Sequence, residues 1–163
     1  MNQATSSPTL YLAFELGQKQ WRLGFTVGLG QPPRERTIAA GDLSALQREI
    51  ALARKRFGLP EDARVLSCYE AGPDGFWLHR YLTAHGVENY VVDSASIEVN
   101  RRARRAKTDH LDVGKLVTML IRFDAGDQRV WSIVHVPDPQ VEDRRHLHRQ
   151  LATLKADRTR HRN

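Results

Sequence analysis

Cys68 is the only cysteine in the chain, which excludes an internal disulfide and any zinc site built on thiolates. It lies in the apolar run RVLSCYE, where a small core residue is expected rather than a nucleophile. No apolar stretch approaches the roughly 18 residues that a membrane-spanning helix needs, so no membrane partner is expected. The opening MNQATSSPT lacks the basic-then-apolar build of a secretory signal and reads as a flexible leader, residues 1–9. A reducing, cytoplasmic setting follows as the expectation. The histidines at 79, 85, 110, 135, 146, 148 and 161 show no metal-ligand spacing, and His146 and His148 would face apart on a helix.

Positive charge is abundant. Lys and Arg number 25 against 19 Asp and Glu, a net of +6, and the clustering of the cations points to a nucleic-acid partner. At 163 residues, 40% hydrophobic and 27% charged, the chain is one folded domain, or one domain with an appendage.

The apolar patterning predicts three strands, LYLAFEL, WRLGFTV and RERTIAA, the first two joined as a hairpin by GQKQ. GDLSALQREIALARKRFG then changes to helical period, with Asp42 as cap and Gly58 as stop. A fourth strand is predicted over residues 64–70, a helix over GFWLHRYLTAHG, and a fifth strand over residues 89–95. A further helix is predicted over TDHLDVGKLVTMLIRF. From Gln140 the pattern is a charged helix whose narrow stripe, Leu147, Leu151 and Leu154, suits a coiled-coil seam. The order implies an α/β fold, a mixed sheet flanked by helices over residues 10–138, with a helical, coiled-coil-like extension over 139–163.

Four acids stand out on this plan. Glu15 falls near the end of the first strand, in an apolar setting where an unpaired acid would cost several kcal/mol, roughly 2–7 on transfer scales. Glu70 closes the fourth strand. Asp109 and Asp112 open the helix after the basic segment, three residues apart and so on one helical face. Strand ends that precede helices converge at one edge of such a sheet, and carboxylates gathered there need either raised pKa values or hard divalent cations between them. The alternatives are plain: a helix's first turn favours acids through its dipole, and Glu70 can serve a turn. Asp93, ending the fifth strand, is a competing candidate ranked below the four. Directly before the acids, Arg101, Arg102, Arg104, Arg105 and Lys107 would grip phosphates without reading sequence. Trp21, Trp77 and Trp131 sit in apolar contexts and are expected in the core.

AFELGQKQWRLGF, YEAGPDGFWLHRYLTAHG and above all RRARRAKTDHLDVGKLVTML resemble the N-terminal RuvC-like (RNase H-like) domain of the DEDD transposases of bacterial insertion sequences. This is the IS one-ten group, described as bridge-RNA-guided recombinases. The resemblance runs from about residue 9 to the start of that family's helical connector, LHRQLATLKADRTRHRN. It implies that Glu15, Glu70, Asp109 and Asp112 are the catalytic, metal-holding acids, with Mg²⁺ as cofactor and Mn²⁺ as substitute. It further implies DNA and a guide (bridge) RNA as partners, a homo-oligomer (dimer or tetramer) through the connector, and a bacterial cytoplasm. Two departures are visible. Most members carry Asp where this chain has Glu15, and the family's nucleophilic serine belongs to a C-terminal domain that no serine here replaces. The expectation is therefore the metal-binding half of an RNA-guided DNA recombinase, incomplete alone. Three other readings stand beside it: a non-catalytic guide-RNA/DNA-binding and dimerisation module, a stand-alone Holliday-junction-resolvase-like nuclease, and, more weakly, an ATP-binding domain of the sugar-kinase sort. The single glycine of ELGQKQW counts against the last.

Overall fold

The computed structural model describes residues 8–73, 76–97 and 112–160. Five strands form one mixed sheet in the order β3-β2-β1-β4-β5. They are β1 (Thr9–Leu16), β2 (Gln20–Thr26), β3 (Arg34–Ala39), β4 (Arg64–Glu70) and β5 (Glu88–Val92). β1, β2 and β3 run antiparallel in turn, whereas β1 pairs parallel with β4, and β4 parallel with β5. The hairpin needs only a three-residue connection, closed by a hydrogen bond from the Gly17 N–H to the Gln20 carbonyl at 3.0 Å. The parallel pairs need crossovers, and these supply the helices.

α1 (Leu43–Arg56) begins as its sequence dictates, with the Asp42 carboxylate accepting the Ala45 N–H at 2.9 Å. It ends at Gly58, whose φ of +64° is the left-handed conformation that glycine adopts cheaply. α1 and α2 (Trp77–Ala84) cover one face of the sheet, where Leu12, Phe14, Leu23 and Phe25 meet Leu46, Ile50, Leu78 and Leu82. α3 (Val113–Asp124) covers the other, packing Leu116, Val117 and Leu120 on Ala13, Leu66 and Cys68. Strand alternation explains the division: consecutive residues of β1 and β4 point to opposite helix layers. Cys68 is fully buried, and burial pushes its thiol far above the usual range, with the Glu70 charge adding to the effect. It is a core residue, as read from the sequence.

The far end of α3 is fixed by a polar cluster. Asp124 accepts hydrogen bonds from the Tyr11 hydroxyl at 2.8 Å and from Arg64 at 3.0 and 3.1 Å, while Arg64 also pairs with Glu88. Burial, with Asp124 alongside, pushes the Tyr11 phenol up to about 12.

α4 (Pro139–Arg160) has no buried residue, and Leu147, Leu151 and Leu154 are exposed. Its first turn is nevertheless anchored. Phe76 stands at the N-cap of α2 and offers no side-chain acceptor; instead Glu142 takes the Phe76 N–H at 3.2 Å and pairs with Arg80 at 2.6 Å. Partial burial would raise the Glu142 carboxyl, but the hydrogen bonds from Arg80 and the Phe76 N–H outweigh it and hold it below its ordinary value. Because the folded state holds this proton more weakly, the anchor is complete above the unfolded value of about 4.3 and fades as pH falls through the lowered one. Glu142→Gln is expected to destabilise the junction by about 0.5–1 kcal/mol at neutral pH and to leave stability nearly unchanged under acid. Thermal melts across that pH range check it; an equal loss at both ends would refute the anchor.

Two boundaries and one tryptophan depart from expectation. β5 ends at Val92 rather than 95, because Asp93 turns its carboxylate to the Ala95 N–H at 3.0 Å and starts a single 3-10 turn, Ser94–Ser96. That role accounts for Asp93, the competing acid. α3 begins at Val113, so Asp112 is its cap rather than a first-turn residue. Trp77 is 41% exposed and stacks on the buried Trp21 with ring centroids 5.9 Å apart, whereas Trp131 is buried as expected.

Candidate active site

β1 and β4 are parallel neighbours with Phe14 opposite Tyr69 as the last registered pair. One residue further on, each strand carries an acid, Glu15 and Glu70. Adjacent strands lie about 4.8 Å apart, so the backbones place the two acids side by side at the carboxyl edge. Ala13 and Cys68, two residues earlier, point into the α3-side core, so Glu15 and Glu70 rise on that same face.

Glu15 has the less settled environment. Its side chain is 34% exposed, and across the hairpin Arg22, its register partner, places Nη1 at 3.8 Å from Oε2. That is an ion-pair distance, too long for a hydrogen bond, and Oε2 is buried with no hydrogen-bond partner among the described residues. A buried carboxylate oxygen left so costs about 1–3 kcal/mol. Hard cations take oxygen donors of this kind, so the donor set at this edge fits a divalent ion: one orphaned carboxylate oxygen with a second carboxylate next to it.

The start of α3 lies over the same face. Val113 rests on Gly24 of β2, close enough that an added Cβ there would sit 3.0 Å from the Val113 Cβ. Gly24 pairs with Ala13, two positions before Glu15. Asp112, exposed at the helix cap, spends Oδ1 on the Lys115 N–H at 2.8 Å, the capping role that was the plainer alternative for this residue. Its other oxygen is outside that bond. Asp109, and the cations Arg101, Arg102, Arg104, Arg105 and Lys107, lie outside the described residues. Among the described residues no three His, Cys, Asp or Glu side chains come together to hold a metal. The geometry thus brings Glu15 and Glu70 together and sets Asp112 on their face of the sheet.

Ser67 and Ser96 are engaged in structural hydrogen bonds. Ser67 is buried and donates to Asn89 Oδ1 at 2.7 Å, and Asn89 in turn meets His79 Nδ1 at 3.0 Å. Burial, with the Arg80 charge nearby, lowers the His79 pKa. Ser96 donates to the Asp93 carbonyl and accepts the Ser132 N–H, both at 2.7 Å. Reading the sequence alone missed a cluster of cations on the opposite sheet face: Arg34 and Arg36, both 3.2 Å from Glu49 Oε2, beside Arg56. The i, i+2 spacing of arginines in RERT was the available signal.

Over 157 residues, 93% of its length, the chain is 38% identical to the protein named "Putative transposase y4rJ" of Sinorhizobium fredii (strain NBRC 101917 / NGR234). It spans 39% of that protein's length. No family model and no solved structure matches it. Among the described residues no helix is long and apolar enough to cross a membrane.

Proposed function

We propose that this chain is the metal-binding catalytic part of a DNA transposase, with Glu15, Glu70, Asp109 and Asp112 as its acids. The observation that carries the reading is the placement of Glu15 and Glu70 one residue beyond the last registered pair of β1 and β4, with a buried oxygen of Glu15 lacking a hydrogen-bond donor among the described residues. The similarity to a protein named as a transposase supports the reaction class. The finer reading, an RNA-guided recombinase using Mg²⁺ and assembling through the leucines of α4, rests on the KTDHLD block and the connector-like C-terminal sequence.

Glu15 and Glu70 would hold a divalent ion, with Asp109 and the second oxygen of Asp112 brought in to complete the set. That ion, when bound, supplies Lewis-acid stabilisation of charge developing on a scissile phosphate. The chain's own contribution is placement. Parallel pairing fixes the spacing of the two glutamates, and the packing of Val113 on Gly24 fixes the height of the α3 cap over the sheet. Arg22, beside Glu15, offsets part of the negative charge at that edge. Arg101, Arg102, Arg104, Arg105 and Lys107 would hold the substrate backbone.

The test is strand cleavage or exchange with Mg²⁺, using this chain and the chain extended to its relative's length. Asp112→Ala is expected to lower the extended protein's rate at least 100-fold, the scale on which a single electrostatic contact to the reacting group counts, roughly 10²–10³. Full activity in that variant would refute the assignment. A second reading, a binding and dimerisation module without chemistry, is favoured by the absence of a third acid beside Glu15 and Glu70 among the described residues. It predicts nucleic-acid affinity that survives Asp112→Ala, with no cleavage in either form.

A further inference from the structure

Between the loop that precedes β3 and the last turn of α1 lies a cleft of about 600 Å³, lined by Gly30, Gln31, Pro32, Pro33, Arg34, Arg36, Arg56 and Phe57. Three of these are arginines and none is acidic. Arg34 and Arg36 project from the same side of β3, two residues apart, toward α1. There Arg34 Nη1 and Arg36 Nε share a single oxygen, Glu49 Oε2, at 3.2 Å each. One carboxylate therefore serves two guanidiniums, and the terminal nitrogens of Arg36 remain outside that bond. Among the described residues Arg56 forms no ion pair. The cleft and its Glu49 buttress together hold three cations against one anion.

A structural ion pair tying β3 to α1 would need one arginine. The second and third exceed that need, and they gather at a concavity whose rim is stiffened by Pro32 and Pro33. Guanidiniums held by a partly buried carboxylate are pre-oriented, which lowers the cost of gripping a phosphate with paired N–H donors. Nor is the negative end of the α1 dipole free to repel an anion. Its closing carbonyls, Ala53, Arg54 and Lys55, already accept the N–H groups of Phe57, Leu59 and Gly58.

We propose that this cleft is a phosphate site, and that the phosphate it takes belongs to a nucleic-acid backbone. The proposal rests on the transposase reading for its choice of polymer. Its place in the fold says which part of that polymer. Through β2, Arg36 is level with Phe14, next to Glu15, yet two strands away and on the opposite sheet face. The sheet separates Arg34 and Arg36 from Glu15 and Glu70, so the phosphate bound here is not the one held at the glutamates, although Pro33 of the cleft wall lies at the start of α3, near Asp112. It belongs to a flanking stretch or a second strand wrapped around the β3 edge, and it anchors the polymer without reading sequence.

The test uses the full chain in EDTA, so that it does not depend on metal at the acids. Binding of a labelled random-sequence duplex is followed by fluorescence anisotropy at salt concentrations from about 50 to 200 mM. Arg56→Gln, which leaves the Glu49 pairs intact, should make the slope of log affinity against log salt shallower by about 0.9; Arg36→Gln with Arg56→Gln should do so by about 1.8. Circular dichroism confirms that the variants fold, and the single variant stands if the double one does not. An unchanged slope in a folded variant overturns the proposal. Thermal stabilisation of the wild type by inorganic phosphate, lost in Arg56→Gln while the slope stays fixed, would assign the cleft to a free anion and overturn it too. Failure of the wild type to bind duplex would sink this proposal together with the choice of polymer, whereas failure of metal binding at the acids would leave it standing.

Discussion

Glu15→Gln and Glu70→Gln are each expected to weaken Mn²⁺ binding at least tenfold, about 1.4 kcal/mol, and the double variant is expected to lose little more than the worse single one. Glutamine keeps the shape and one acceptor of each side chain but removes the charge that a hard cation requires. The prediction concerns coupling as much as loss. Parallel pairing puts the two residues on neighbouring strands one step beyond Phe14 and Tyr69, about 4.8 Å apart at the backbone. Two carboxylates at that spacing serve one ion together, and groups that share a partner do not add. Calorimetric titration of the four proteins closes the cycle. Losses that sum independently would separate the acids into unrelated sites; unchanged affinity in both singles would remove the metal from this edge. Glu70→Gln in the extended protein should also lower the rate of strand cleavage at least 100-fold, on the scale of roughly 10²–10³ for such contacts.

Elements bounded by strong local chemistry were legible before any coordinates. Arg64–Glu70 stands where the apolar run predicts it, because Gly72 and Pro73 stop the strand. α1 starts at its Asp42 cap and ends before Gly58 for equally local reasons. Boundaries set by competition were harder. Asp93 reads as the end of a strand until its carboxylate is seen to cap the following turn, and Asp112 reads as a first-turn acid until Val113 is seen to begin the helix. The nearness of Glu15 and Glu70 follows once β1 and β4 are taken as parallel neighbours, since both acids stand at strand ends. The pairing of Glu15 with Arg22 does not follow, because hairpin register depends on how the turn at Gly17 closes. The arginine cleft was least legible of all. Arg34 and Arg36 stand two residues apart in the chain, but Glu49 and Arg56 join them only through the packing of α1 on β3.

Gly24→Val is expected to destabilise the protein by about 2–3 kcal/mol, a cost typical of overpacking, although a β-branched residue ordinarily suits a strand better than glycine. The reason is one close approach. A Cβ at position 24 would lie 3.0 Å from the Val113 Cβ, 3.1 Å from its Cγ2 and 3.3 Å from its carbonyl oxygen, and the last of these cannot rotate away. The start of α3 must then lift from the sheet, taking the Asp112 cap with it. Melting temperature should fall by about 5–10 °C, at roughly 2–4 °C for each kcal/mol in a chain of this size. Mn²⁺ affinity should fall as well, though Gly24 has no side chain with which to touch an ion. Gly24→Ala should show a smaller version of both effects, and Val113→Ala added to it should restore part of each by removing the Cγ2 contact. A folded Gly24→Val protein with wild-type melting and wild-type Mn²⁺ affinity would mean that the height of α3 over β2 does not set the acids' geometry. Lost stability with retained affinity would separate the helix cap from the metal and leave Glu15 and Glu70 to hold it without Asp112.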